Sequence, residues 1–273
     1  MAVTMADISH LRKMTGAGMM DCKNALTEAV GDFDKAVEII RKKGQAVAAK
    51  RSDRDASEGC VLAKSTGKYA VILALKCETD FVAKNEDFIK LTEDVLDIAV
   101  ANKPADTEAL LALPMGDSTV AETVAVRSGI TGEKMEIDGF GVVEGEKTAV
   151  YIHQGNKLAT VVSFNQDVAD EVTHEVAMQI AAMNPIAVDA ANVPAEVLDR
   201  EKEIAADKAR EEGKPENLIE RIAAGRISKF YKEVCLLEQD YVKDPSMTVA
   251  KFLDNSSKGL TVTAFKRVTL NED

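Results

Sequence analysis

Side chains able to do acid–base, nucleophilic or metal chemistry are few in this chain and badly spaced for it. The three histidines, His10, His153 and His174, stand far apart, and no H-E-x-x-H pair is present to bind zinc. No G-x-S-x-G turn raises a serine nucleophile. Gly16-x-Gly18 lacks the third glycine of a dinucleotide-binding turn and precedes no Rossmann unit. Ser65-Thr-Gly-Lys68 resembles the end of a phosphate-binding loop, but Leu62 stands where glycine is needed and Tyr69 replaces the Ser or Thr. Cys22, Cys60, Cys77 and Cys235 show no C-x-x-C pairing. They read as reduced thiols packing inside a cytoplasmic protein rather than a disulfide framework or a zinc site. His153 ends a strand beside Gly155, where a structural role and a contact role are both open. Carboxylates are abundant but scattered. This inventory favours a protein that acts by binding, with no cofactor and no metal of its own.

The stretch best suited to binding is Lys76-Cys-Glu-Thr-Asp-Phe-Val-Ala-Lys-Asn-Glu-Asp-Phe88. An apolar strand, Tyr69 to Leu75, runs into it, and a helical pattern from Phe88 to Ala101 runs out of it. A junction at a strand end is where a rigid scaffold holds functional loops. Thr79, Asp80 and Asn85 suit helix caps or turns. Phe81 has two readings. It folds back as a staple under the following helix, or it points outward as an aromatic anchor for a partner's pocket.

Composition bounds the rest. The 273 residues carry a net charge of −12, which disfavours sequence-independent binding to phosphate backbones. No apolar run approaches the roughly 20 residues of a membrane span. The opening Met-Ala-Val-Thr-Met-Ala-Asp has no basic segment followed by an apolar one, so no secretory signal is expected.

The first 50 or so residues read as three short helices. Ile8, Leu11 and Met14 mark the first, and Thr15-Gly-Ala-Gly-Met-Met-Asp21 is a glycine-rich turn. Cys22, Ala25, Leu26 and Ala29 mark the second, which Gly31 closes. Phe33, Ala36, Val37 and Ile40 mark the third, which Gly44 is expected to end after Arg41, Lys42 and Lys43. So small a module suits docking. Met19 and Met20 are adjacent and cannot share one helix face, so at least one is expected to be exposed. Residues 46–57 read as a charged linker.

Two strands, Cys60 to Lys64 and Tyr69 to Cys77, flank the turn Ser65 to Lys68, and a helix with Phe88, Leu91, Val95, Leu96 and Ile98 follows. The same order returns at Ala149 to His153, Gln154 to Lys157 and Leu158 to Phe164, followed by Val168, Val172, Val176 and Ile180 at helical spacing. Lys68 to Leu75 aligns with Lys157 to Phe164, a weak internal repeat that predicts a duplicated core. The copies differ where the first has Thr79-Asp-Phe-Val82 and the second Asn165-Gln-Asp-Val168, so the first loop is the one with a special task. Between them come a short helix at Ser118 to Ser128 and a strand at Met135 to Val143. Pro194 to Tyr231 carries charged and apolar residues at helical spacing, broken at Gly213-Lys-Pro215, and predicts a protruding antiparallel helical hairpin. A strand at Val234 to Val242, a helix start at Asp244-Pro-Ser246, a helix at Thr248 to Leu253 and a last strand at Leu260 to Leu270 complete the α+β reading.

Thr15-Gly-Ala-Gly-Met-Met-Asp-Cys-Lys23, with Ala25-Leu26 and the Gly31-Asp32 break, resembles the N-terminal domain of the elongation factor Ts family. Cys77-Glu-Thr-Asp-Phe-Val-Ala-Lys-Asn85 is similar to that family's signature loop. The resemblance covers nearly the whole chain. It implies a guanine nucleotide exchange factor that binds elongation factor Tu, GDP-bound and nucleotide-free, and is not an enzyme. It implies an N-terminal docking domain over residues 1–55, linker included, resembling a ubiquitin-associated domain. Core subdomains would cover residues 56–145 and 146–273, with the hairpin inserted at 193–231.

By the same resemblance Thr79, Asp80, Phe81 and Val82 would dislodge Mg²⁺ from Tu, with Phe81 wedged between two Tu helices. Leu11, Met19 and Met20 would dock the N-terminal module, and Gly132, His153, Val242 and Pro245 would add contacts. Thr131 stands where relatives often have Ile. No direct contact with nucleic acid or membrane is expected, and self-association through the hairpin is open. The competing reading is an adaptor or chaperone-like protein of the translation machinery that keeps the docking domain without catalysing exchange.

Overall fold

Residues 3–271 are described by a computed structural model in which helices and antiparallel sheets make an α+β fold. Two units are distinguishable. The first takes the chain up to Leu62, Leu73–Gly141 and the C-terminal end from Thr269, and the second takes Ala63–Ile72 and Val142–Val268.

In the first unit α1 (Met5–Thr15) opens on a reciprocal cap, the Asp7 carboxylate accepting the Thr4 N–H at 2.9 Å and the Thr4 hydroxyl accepting that of Asp7. Gly16, at φ +70°, ends it in the left-handed conformation. Then come α2 (Met19–Glu28) and α3 (Phe33–Ala49), the latter capped by Asp32. Ile8, Leu11, Cys22, Leu26, Ala36 and Ile40 close their common core, and Ile130 packs against it.

The strands β1 (Glu58–Ser65) and β2 (Tyr69–Cys77) lead to α4 (Asp80–Ala83) and α5 (Glu86–Asn102). After α6 (Thr107–Ala112), the two-residue strands β3 (Pro114–Met115) and β4 (Ser118–Thr119) pair, and α7 (Val120–Thr131) follows. β5 (Glu136–Glu144) joins the first two strands in the order β1-β2-β5.

Gly44 does not end α3 as expected. The helix runs on to Ala49, because Gly44 is a crossing point rather than a cap. A Cβ on Gly129 of α7 would lie 2.2 Å from the Gly44 Cα, and one on Gly44 would lie 2.9 Å from the Val126 Cα. Only two glycines let these helix backbones touch. The three cations before Gly44 therefore lie within the helix, with Arg41 bonded to Glu122 of α7. The segment expected as a linker is also fastened, since it continues α3 for a turn and then sends Arg51 and Arg54 to Glu78.

The second unit pairs β6 (Lys147–Ile152) with β7 (Leu158–Phe164), Ala149 opposite Val162, and lays α8 (Asp170–Met183) against them. The helices α9 (Ala195–Glu211) and α10 (Glu216–Val234) pack on each other. Arg226 of α10 donates to the Ala205 carbonyl at 3.1 Å and to Glu212 at 2.7 Å. Then come β8 (Asp240–Tyr241), β9 (Asp244–Thr248), α11 (Val249–Ser256) and β10 (Val262–Thr269), the last completing a sheet ordered β10-β7-β6. Phe164, Val176, Ile180, Leu236, Leu253 and Leu260 form the core, beside a Tyr241–Phe252 stack at 4.3 Å.

Two expectations fail here. The strand expected from Val234 shrinks to Asp240–Tyr241, because Val234 closes α10 and Leu236 and Leu237 donate instead to the carbonyls of Ala187 and Val188. Asp244-Pro-Ser246 starts β9 rather than a helix, pairing back on Tyr241.

Candidate functional site

β2 is buried along its length except at Lys76, and where it ends two carboxylates exchange partners. Glu133, just beyond α7, accepts the backbone N–H groups of Glu78 and Thr79, each at 3.1 Å, and the Thr79 hydroxyl at 2.6 Å. Glu78 in turn accepts the Lys134 N–H at 2.7 Å and pairs with Arg51 at 3.2 Å and Arg54 at 2.6 Å. The Lys134 N–H, and after it the two guanidiniums, hold the Glu78 carboxyl below the usual carboxylate range. Beneath the turn, burial pushes the Cys77 thiol up to about 12, and the Glu133 charge adds to the shift. A thiol, not a thiolate, therefore donates to the Thr79 carbonyl at 3.3 Å.

From this base the chain makes one helical turn. Thr79 caps α4, its hydroxyl accepting the Val82 N–H at 3.4 Å, and Asp80 pairs with Lys84 at 2.6 Å. Val82 is half-buried and Ala83 buried, but Phe81 is 85% exposed. The staple reading of Phe81 therefore falls. Phe88, on the first turn of α5, is the buried aromatic at 1% exposure. Its helix starts at Asn85, whose side chain accepts the Asp87 N–H at 2.9 Å. Four tethered residues hold a large apolar ring in water, an arrangement suited to filling a pocket elsewhere.

In the same unit Met19 and Met20 are both exposed at the start of α2, Met20 to 64%. Leu11, expected as a docking residue, is placed inside the module rather than on its surface. It has 0% exposure, and its side chain belongs to the helical core because α1 turns it toward Leu26 and Ile40. Gly132 closes α7 at φ +73°, a conformation that other residues adopt with strain, and so delivers Glu133 to the turn. Its neighbour Thr131 is exposed and donates back to the Arg127 carbonyl at 3.2 Å.

In the second unit His153 is exposed just after β6, its Nδ1 2.8 Å from the Tyr151 hydroxyl. The Tyr151 ring meets His174 of α8 edge-on at 5.8 Å. Val242, 49% exposed, tips the turn between β8 and β9, with Pro245 exposed beyond it. Its N–H donates to the Gln179 side-chain oxygen at 2.9 Å, while the Gln179 amide donates to the Asp240 carbonyl at 3.1 Å.

Thr79 to Val82 and Gly132 are thus joined through Glu133, whereas Val242 is anchored on α8 directly and His153 meets Tyr151, whose ring packs on α8. The bracing residues Glu133, Arg51, Arg54 and Gln179 escaped the sequence reading, and Glu78 was seen only as part of the signature loop. The first four are common polar residues outside any recognisable spacing. The one available signal for Glu133 was its place directly after a helix-ending glycine. Among the described residues no cluster of His, Cys, Asp or Glu could hold a metal ion, and no helix is long and apolar enough to cross a membrane.

Comparison with known proteins gives this arrangement its context. The family model described as elongation factor TS matches residues 78–272. The chain is 57% identical to the elongation factor Ts of Porphyromonas gingivalis, with all of both chains covered. It is 52% identical to that of Bacteroides thetaiotaomicron, again over the whole of both chains. It is also 52% identical to that of Azobacteroides pseudotrichonymphae, over 99% of each. With a full-length match at this identity and a family model spanning the braced turn, the chain belongs to the elongation factor Ts family of translation elongation factors.

Proposed function

We propose that this chain is a guanine nucleotide exchange factor for elongation factor Tu, acting by binding and not as an enzyme. The observation that carries the proposal is Phe81, an aromatic ring 85% exposed on a turn braced from below. Family membership supplies its target. The ring enters between two helices of Tu near the bound Mg²⁺, with Thr79, Asp80 and Val82 around it, and GDP loses the contacts that hold it. Residues 1–55 dock on Tu through the exposed Met19 and Met20, and Gly132, His153 and Val242 add contacts from the core segments 56–145 and 146–273. The helical hairpin at 193–231 is a further arm, available for self-association.

The physical requirement is differential affinity. The factor must bind nucleotide-free Tu more tightly than Tu-GDP, and by linkage GDP then weakens the factor to the same degree. Each 1.4 kcal/mol of this difference is worth about tenfold in GDP affinity. A braced turn serves it well, because the backbone that carries Phe81 loses little freedom on insertion.

The test is release of a fluorescent GDP from Tu with this protein substoichiometric. Release that turns over many Tu molecules, and is largely lost in Phe81→Ala while binding persists, supports exchange by the wedge. Unchanged release in Phe81→Ala sinks the wedge. Binding without any acceleration sinks exchange itself and leaves an adaptor.

A further inference from the structure

We infer that Glu133 is a positioning residue for the Phe81 turn, and that its carboxylate sets where the exposed ring stands on the first unit. This rests on the wedge reading above and deepens it. Phe81 has almost no packing of its own to fix it, so its direction depends on the backbone at Glu78 and Thr79. Strand pairing has ended at Cys77, and the N–H groups of Glu78 and Thr79 both go to one Glu133 oxygen. The other oxygen takes the Thr79 hydroxyl, leaving that hydroxyl's own oxygen free to accept the Val82 N–H and start α4. A single side chain thus determines where β2 stops and where α4 begins.

Glu133 is itself held at both ends. Its carbonyl accepts the Ser128 hydroxyl, and the left-handed Gly132 fixes its departure from α7. α7 lies against α3 at the Gly44–Gly129 crossing, and α3 leads directly to Arg51 and Arg54, which grip Glu78. Two routes therefore run from the N-terminal helices to the turn. One passes through α7 to Glu133, and the other through the arginines to Glu78. The docking helices and the ring are held in one frame, so engaging the first directs the second.

The measurement uses full-length protein in three variants, Glu133→Ala, Phe81→Ala and the double substitution. A displacement of about 1 Å at a reacting site costs on the order of a hundredfold in rate. Glu133→Ala is therefore expected to lower the maximal rate of stimulated GDP release by about ten- to a hundredfold, with the half-saturating concentration changing less than about threefold. The amides of Glu78 and Thr79 should gain hydrogen exchange. The double variant should be no slower than Phe81→Ala alone, since positioning is worthless once the ring is gone. Should Glu133→Ala fold poorly, Glu133→Gln replaces it. That amide keeps one acceptor oxygen for the two N–H groups, so it should lower the maximal rate by less than about tenfold, with both amides still gaining hydrogen exchange.

Release at the wild-type rate while both amides exchange freely would overturn the assignment. So would losses that multiply in the double variant. Both results leave the wedge standing, whereas a Phe81→Ala variant that releases GDP normally strikes the wedge itself.

Discussion

Phe81 and Phe88 are the same residue type seven positions apart, and the structure assigns them opposite energetics. Full burial of a phenylalanine side chain is worth about 1.5–3 kcal/mol. Phe81 is 85% exposed, so folding removes about 15% of it from water, and its loss should cost on the order of 0.2–0.5 kcal/mol. Phe88 is 1% exposed, and truncating it adds a cavity to the lost transfer energy, about 3–5 kcal/mol in all. For a chain of this size each kcal/mol moves the melting temperature by about 2 °C or somewhat more. Phe88→Ala should therefore melt about 6–10 °C lower, and Phe81→Ala within about 1 °C of the parent. The assay is thermal unfolding followed by circular dichroism, with GDP release from Tu measured on the same samples. Phe81→Ala should be the variant that keeps its stability and loses exchange. A drop of more than about 3 °C in Phe81→Ala, or an unchanged melt for Phe88→Ala, would mean that the ring is packed and refute the reasoning.

Four further outcomes are expected. Gly129→Ala pushes a methyl to within 2.2 Å of the Gly44 Cα and should destabilise by about 1–3 kcal/mol or more, whereas Gly225→Ala, on α10 with nothing near it, should gain about 0.5–1 kcal/mol; urea midpoints separate them. Burial raises Cys77 to about 12 and Cys235 to about 11, so neither should react with Ellman's reagent at pH 8 until denaturant is added. The folded thiols keep their protons while unfolded ones ionise from about pH 8.5, so their contribution to stability is complete below that pH and is lost as pH rises toward 12, a decline that Cys77→Ala should flatten. Leu11→Ala should cost about 2–5 kcal/mol of stability by cavity formation, while Met20→Ala should cost less than about 0.5 kcal/mol and instead weaken docking on Tu; melting curves and a binding titration read the two effects.

Much of the molecule could be read from local chemistry. Periodicity placed most helices and the paired strands, since an amphipathic face repeats at a fixed interval whatever it later packs against. The capping side chains at Thr79 and Asn85 marked the site's boundaries for the same local reason. The failures share one feature, a partner distant in sequence. Gly44 has the look of a helix end because an isolated glycine usually is one, and only α7 makes it a crossing. Arg51 and Arg54 resemble a solvated linker until Glu78 is brought beside them.

The residue types and spacings alone placed Thr79 to Val82 directly after an apolar strand and carried the resemblance to the elongation factor Ts family. These are properties of contiguous segments, carried by short-range sterics and side-chain type. Tertiary structure decided which way the aromatic rings face. Phe81 and Phe88 have equal hydrophobicity, and no local rule sends one into water and the other into the core. That outcome depends on Glu133, more than fifty positions along the chain, taking the amides at which β2 stops. It likewise buried Leu11 and left Met20 outside, because a helix face turns inward only when another element arrives to cover it.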